Sequence, residues 1–316
     1  MYKKSSNLEK PTLENYNAMD DFLFFKYMGE EGNEKQQKGL SEALGISITG
    51  KIKSINPKVP PDNKEGKTSI LDCYIETENA KIDIEAQRQE VEDFMEKIIA
   101  YVIKMLITSL KKGKNYSIMK KAIAIIICDF NFLKSPLYHN IIDLRNRDIK
   151  INEQLTDKIE LHFIEMPKVR KLPMYKIIKK YLKSKNNKIN ITITKEFQYL
   201  LFMDSEITHS ERKEIVKMGD EGLKDAIEKI ELAFQDNEAL DAYLTQKIEE
   251  ISLENRLNIR EKRGEERGEK RGEERGEQNG IKKGIKETAK RLKNMGLSIE
   301  EIAKATDLTP EMIEKL

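Results

Sequence analysis

Hydrophobic positions along the chain change their period several times, and each change predicts an element. Between residues 20 and 44, Phe22, Phe25, Met28, Leu40, Ala43 and Leu44 recur at helical spacing, and Gly45 ends the pattern as a glycine just past a helix does. Ile52 and Ile55, followed by three prolines up to residue 61, predict a short strand and a loop. Residues 68–76 (TSILDCYIE) and 81–87 (KIDIEAQ) alternate apolar and polar, with Asn79 between them, which predicts a hairpin. Val91, Phe94, Ile98, Tyr101, Val102, Met105, Leu106 and Leu110 recur at three and four, the signature of an amphipathic helix, and Gly113 stops it. Residues 121–128 (KAIAIIIC) are a continuous apolar run, as in a strand buried on both faces, and 159–166 (IELHFIEM) predict another strand. A buried strand after a helical crossover implies parallel pairing, so the fold class is α/β. Residues 172–260 are helical by pattern.

Beyond residue 260 the pattern becomes a repeat. Glycine stands at 264, 268, 272, 276, 280 and 284, and arginine at 263, 267, 271 and 275. Each glycine costs a helix about 1 kcal/mol relative to alanine, and like charges line up at i,i+4. A flexible charged spacer or a weakly self-associating segment is expected ahead of direct DNA contact; a glycine column would let two helices approach closely. Residues 285–316 predict three short helices. Ser298 with Glu301 makes a capping box, and Thr309 stands before Pro310 as an N-cap before an N1 proline. The spacing is similar to a helix-turn-helix. The second helix offers Glu311, Met312 and Glu314 rather than the Arg, Lys, Asn or Gln that read bases, so a small docking or capping bundle is the expectation.

Composition narrows the classes. The 316 residues suggest about two units. A hydrophobic share of 38% supports a core, while 35% charged residues call for much solvated surface. Net charge is only +2, so nucleic-acid binding has to come from local patches. Cys73 and Cys128 sit in apolar runs, and His139, His162 and His209 are scattered, which excludes a Cys/His zinc site and a disulfide framework. No apolar run approaches 18 residues, and the start MYKKSSNLEKP has no apolar stretch of a signal peptide. The expectation is a cytoplasmic protein without a membrane span.

The candidate chemistry lies in the hairpin. A turn at Glu78-Asn79 pairs residue 72 with 85 and 73 with 84; a slip of one residue would set apolar side chains against charged ones. Asp72 and Glu85 then face each other about 5 Å apart, and like charges there destabilise a sheet. A divalent cation between them reverses the sign, and two carboxylates, a carbonyl and waters suit Mg²⁺, with Mn²⁺ or Ca²⁺ as alternatives. Such a metal activates water and stabilises a phosphate in reaction. Gln87 projects from the same face and is placed to orient water or phosphate. The competing account is a set of ordinary polar residues on a solvated sheet face, and for Asp83 solvation is the favoured account. Lys97 and Tyr101, one turn apart on the following helix, could contact phosphate or support the site. His162 is expected to be a packed strand residue.

The segments MDDFLFFKYM, SILDCYIE, KIDIEAQ, KKGKNYSIMKKAIAIIICDF and IELHFIEMPK, in that order over about residues 15–170, resemble the Rpn-type recombination-promoting nuclease/transposase family, which is similar to PD-(D/E)xK enzymes. The resemblance implies a restriction-endonuclease-like core, a central mixed sheet flanked by helices, followed by an all-helical C-terminal region. It implies Mg²⁺-dependent endonuclease cleavage of DNA in recombination or in mobile elements. Asp72 and Glu85 become the metal ligands, and Gln87 stands where the broader superfamily has lysine. An amide lacks that positive charge, so a non-catalytic DNA-binding or regulatory protein on the same fold is the alternative. Asp21 is the candidate for a further acidic ligand, with a helix N-cap as its other reading. Glu165, Pro167 and Lys168 match the family pattern at the end of the last strand. The domains expected are a flexible N-terminus (1–14), a nuclease domain (15–170), a helical region (171–260), the repeat spacer (261–284) and a small helical tail (285–316), with homo-oligomerisation through the tail.

Overall fold

The computed structural model describes residues 12–55, 58–59, 69–70, 72–110, 115–148, 150–183 and 192–316. Two compact units make up the chain, divided between Gln246 and Lys247. The first contains a six-stranded sheet. Its strands are β1 (Lys53–Ile55), β4 (Cys73–Glu76), β5 (Ala80–Gln87), β6 (Lys121–Cys128), β7 (His139–Arg145) and β8 (Gln154–Glu165), in the order β1-β4-β5-β6-β8-β7. Strands β2 (Lys58–Val59) and β3 (Ser69–Ile70) form a separate ladder.

The predicted hairpin register holds: Cys73 pairs with Ile84 and Glu76 with Lys81. The first hairpin strand is interrupted, however. β3 ends at Ile70 and β4 begins at Cys73, which leaves Asp72 at the break. β5 runs parallel to β6, as a helical crossover requires, and β6 runs parallel to β8. That crossover is α3 (Phe94–Ile107), whose Phe94, Ile98, Tyr101, Val102 and Met105 are buried against Tyr74, Ala122, Ala124, Ile126 and Phe163. Full burial of a side chain such as Ile98 is worth about 1.5–3 kcal/mol. Edge strand β7 has no counterpart in the sequence reading: its apolar Ile141, Ile142 and Leu144 remain largely exposed and give no clean alternation.

The other face of the sheet presents Ile75, Ile82, Ile84, Ile123, Ile125, Ile127 and Ile164 to a second layer of helices. The predicted N-terminal helix is there as three pieces: α1 (Asp21–Phe24), a π turn (Phe25–Gly29) and α2 (Glu34–Ala43). Gly45 follows α2 with φ of 80°, and the Ile46 N–H reaches back to the Ser41 carbonyl at 2.9 Å, the glycine stop expected there. α5 (Pro173–Lys183) follows the short α4 (Met166–Val169), and α6 (Lys195–Met203), α7 (His209–Val216) and α8 (Glu221–Gln235) complete the layer. Helices α5 to α8 therefore share one hydrophobic core with the sheet.

α9 (Asn237–Asn294) crosses the boundary between the units. The repeat at 261–284 is helical throughout, unlike the flexible spacer that its glycines suggest. Extending an existing helix needs no new nucleus, and Glu, Arg and Lys are good helix formers that offset the glycines. In the second unit the end of α9 packs with α10 (Ile299–Thr306) and α11 (Pro310–Glu314) around Ala289, Ile302 and Ile313. The capping box at Ser298 and Glu301 is present. Among the described residues no helix is long and apolar enough to cross a membrane.

Candidate active site

Three devices place Asp72. The π turn lets Glu30 N–H bond to the Phe25 carbonyl at 2.8 Å, and the Met28 carbonyl accepts from the Cys73 thiol at 3.3 Å and the Gln37 amide at 2.8 Å. Such turns often mark functional sites. Gly29 then lies against the backbone of Asp72: a Cβ there would stand 2.4 Å from the Asp72 carbonyl oxygen, so only glycine fits without a shift. Finally, the Ala86 N–H donates to Asp72 Oδ2 at 3.1 Å, and the Asp72 N–H donates to Glu85 Oε1 at 3.4 Å. The predicted Asp72–Glu85 juxtaposition is therefore in the structure, stitched by backbone donors.

Lys97, in the first turns of α3, donates to Glu85 Oε2 at 2.8 Å and stands 5.3 Å from the centre of the Tyr101 ring. Asp21 begins α1 and adds its negative field to both Asp72 and Glu85; the N-cap position belongs to Asp20. Asp20 is itself buried, held by Arg88 at 2.8 Å and by the Tyr243 hydroxyl at 2.6 Å. Tyr243 stacks on Phe22, so the first turns of α9 brace the start of α1. Gln87 is partly exposed, and its amide donates to the Gln89 carbonyl at 3.1 Å.

Asp83 departs from expectation. It is fully buried rather than solvated, and among the described residues neither carboxylate oxygen has a hydrogen-bond partner. The reason is its place on β5, paired on both sides and roofed by α3. Periodicity marks it as polar and says nothing of the roof; the apolar face of α3 was the available signal. Burial pushes the carboxyls of Asp72, Asp83 and Glu85 upward. The Glu85 charge adds to this at both aspartates, and Asp21 adds to it at Asp72 and Glu85. Lys97 pulls all three back down. Burial works against the Lys97 charge, but Glu85 more than offsets it and holds the ammonium above its ordinary range.

The end of β8 acquires a structural role. Buried Glu165 accepts from the backbone of Phe132 at 2.7 Å and of Leu133 at 3.1 Å and pairs with Lys168, which clamps the loop after β6. Beside it, Arg170 joins Asp129 and Asp204, each at 2.6 Å. His162 is packed, as expected, and hydrogen-bonded to His139 at 2.9 Å and Glu160 at 2.8 Å. Neither the Glu165 clamp nor the Arg170 pairing is visible in spacing.

As it stands, no group of three His, Cys, Asp or Glu side chains among the described residues could hold a metal ion. Two carboxylates meet, and one oxygen of Glu85 is taken by Lys97. The donor set nevertheless fits a hard divalent cation. Among the described residues here, the carboxyls of Asp72, Asp83 and Glu85 outnumber the ammonium of Lys97, and the oxygens of Asp83 have no hydrogen-bond partner. Mg²⁺ needs only one or two carboxylates because it keeps several waters. No curated protein and no solved structure matched the chain. A family model described as PD-(D/E)XK nuclease family transposase matches residues 18–260.

Proposed function

Because the chain belongs to the PD-(D/E)XK nuclease family transposases, we propose that it is a metal-dependent endonuclease that hydrolyses DNA phosphodiester bonds in recombination or transposition. The observation that carries this reading is the Asp72–Glu85–Lys97 arrangement: two stitched carboxylates with an ammonium 2.8 Å from one of them. Asp72 and Glu85 would hold the cation, with Asp21 as the nearby third acid. Bound there, a divalent metal supplies Lewis acidity and a water acidified towards neutrality. Lys97 brings positive charge to the site, the contribution that Gln87 cannot make. Its ammonium is placed to stabilise charge that develops on a phosphate. Gln87 retains an amide that can donate to a phosphate oxygen or accept from a water.

The test is nicking of supercoiled plasmid by the full chain with Mg²⁺, with Mn²⁺ and with EDTA, for the wild type and Asp72→Ala. Cutting should need metal and fall at least about 100-fold in the variant, the scale of losing a key electrostatic group, while DNA binding persists. Cutting in EDTA, or undiminished cutting by Asp72→Ala, would overturn the assignment. DNA binding with no cutting under any metal would instead select a non-catalytic DNA-binding module on this fold.

A further inference from the structure

Residues 262–284 of α9 are all exposed, and a Cβ added at any of the six glycines of the repeat would meet no atom of the described residues within 4 Å. The triplet Arg-Gly-Glu recurs at 263–265, 267–269, 271–273 and 275–277. At about 100° per residue, each glycine lies between its arginine on one side and its glutamate on the other. The helix thus carries a shallow groove with an arginine ridge along one wall and a glutamate ridge along the other. Within each ridge the i,i+4 neighbours are like charges, which repel mildly and favour an opposite ridge from outside.

We propose that residues 263–277 are a self-association surface whose occupant is the same segment of a second copy, running parallel. Two copies meeting groove to groove in parallel are related by an axis along the helices. That rotation sets the arginine ridge of each against the glutamate ridge of the other, on both walls. An antiparallel pair, related by an axis across the helices, sets arginine on arginine and glutamate on glutamate. Charge alone therefore selects the parallel pair, and the glycines let the backbones approach. Ridges built from i±4 rows cross at about −50°, so contact is confined to the neighbourhood of the crossing. Such a contact falls below the ~1,200 Å² of a standard interface, and the association is weak and sensitive to salt.

The test is sedimentation velocity of the full chain over a range of concentrations, without DNA. Wild type should dimerise at low salt and dissociate near about 1 M, where the screening length is ~3 Å. A chain with Arg263, Arg267, Arg271 and Arg275 all changed to Glu should be monomeric. So should a chain with Glu265, Glu269, Glu273 and Glu277 all changed to Arg. An equimolar mixture of the two should form heterodimers. A chain carrying both sets of changes should associate with itself in parallel, and with wild type only in the antiparallel sense that the same charge rule then favours. Dimers that persist in either single-ridge variant, or a monomeric wild type at low salt, would overturn the proposal. Spin labels at Gly280→Cys on two paired wild-type repeats should lie closer to each other than to one at Arg260→Cys on the other copy, and the reverse order would overturn the parallel arrangement.

Discussion

Around Glu85 the sheet gathers Asp72 and the fully buried Asp83 with one ammonium, Lys97, in direct contact. Along residues 262–284 of α9, charges of both signs are more numerous and every one faces water. Burying an ion costs several kcal/mol after relaxation, and attraction repays this only when partners satisfy it. An exposed charge costs almost nothing, and an exposed pair returns roughly 0–1 kcal/mol. Charge density alone therefore says little about function. The sheet's few acids need a reason to be where they are, and a divalent cation supplies one. The tail's many charges need a reason only for their order.

The contrast can be sharpened most strongly at Lys97. If its ammonium supplies the positive charge of the site, Lys97→Met lowers the single-turnover cleavage rate by roughly 100-fold or more, the scale of a lost charge-stabilising group. Gln87→Ala should cost less, about 10-fold, since a neutral amide can only orient. Lys97 is about one-third exposed at its side chain, so the fold should survive, and thermal melting checks this. Equal losses at the two positions would assign the site's charge requirement elsewhere.

Much of this region was legible from residues alone. The alternation in 68–76 and 81–87 specified the register that opposes Asp72 and Glu85, because a one-residue slip would set the isoleucines of β5 against charged side chains. The apolar run 121–128 announced a central parallel strand. What stayed hidden was set by tertiary contact. The π turn and the approach of Gly29 to Asp72 depend on a helix meeting a strand 40-odd positions later. The Glu165 clamp on Phe132 and Leu133 joins segments whose spacing has no period. The long helix misled in the opposite sense: local propensity argued for a spacer, while continuity with a folded first turn at Tyr243 supports the helix.

Asp83 offers an intermediate effect with a definite sign. Its carboxyl, like those of Asp72 and Glu85, is raised by burial first and by neighbouring carboxylates second. An acid whose folded value exceeds its unfolded value contributes stability at low pH that is lost as pH rises through the folded value. Metal-free protein should therefore become less stable as pH rises above the ordinary carboxylate range. Added Mg²⁺ should recover more stability at pH 8 than at pH 5, because fewer protons compete for its ligands. Asp83→Asn removes one buried charge. It should match wild type in urea unfolding at pH 5 with EDTA and exceed it by about 1–2 kcal/mol at pH 8. A variant weaker than wild type at both pH values would show that Asp83 is ionised and satisfied.

The smallest effect comes from one substitution made in both regions. Gly272→Ala adds a methyl group to open space on a helix where glycine costs backbone entropy. It should stabilise the local helix by about 0.5–1 kcal/mol. Slower hydrogen exchange across 262–284 would show this, with no change in unfolding of the first unit. Gly29→Ala adds the same methyl group 2.4 Å from the Asp72 carbonyl oxygen, a backbone atom that can yield only by moving Asp72. There the sign reverses: the fold is destabilised, and metal-dependent cutting falls with it. The opposite signs follow from what surrounds each Cα, since both glycines are helical and neither has a positive φ. If both substitutions proved neutral, the close approach of Gly29 to Asp72 would not be what positions the first carboxylate.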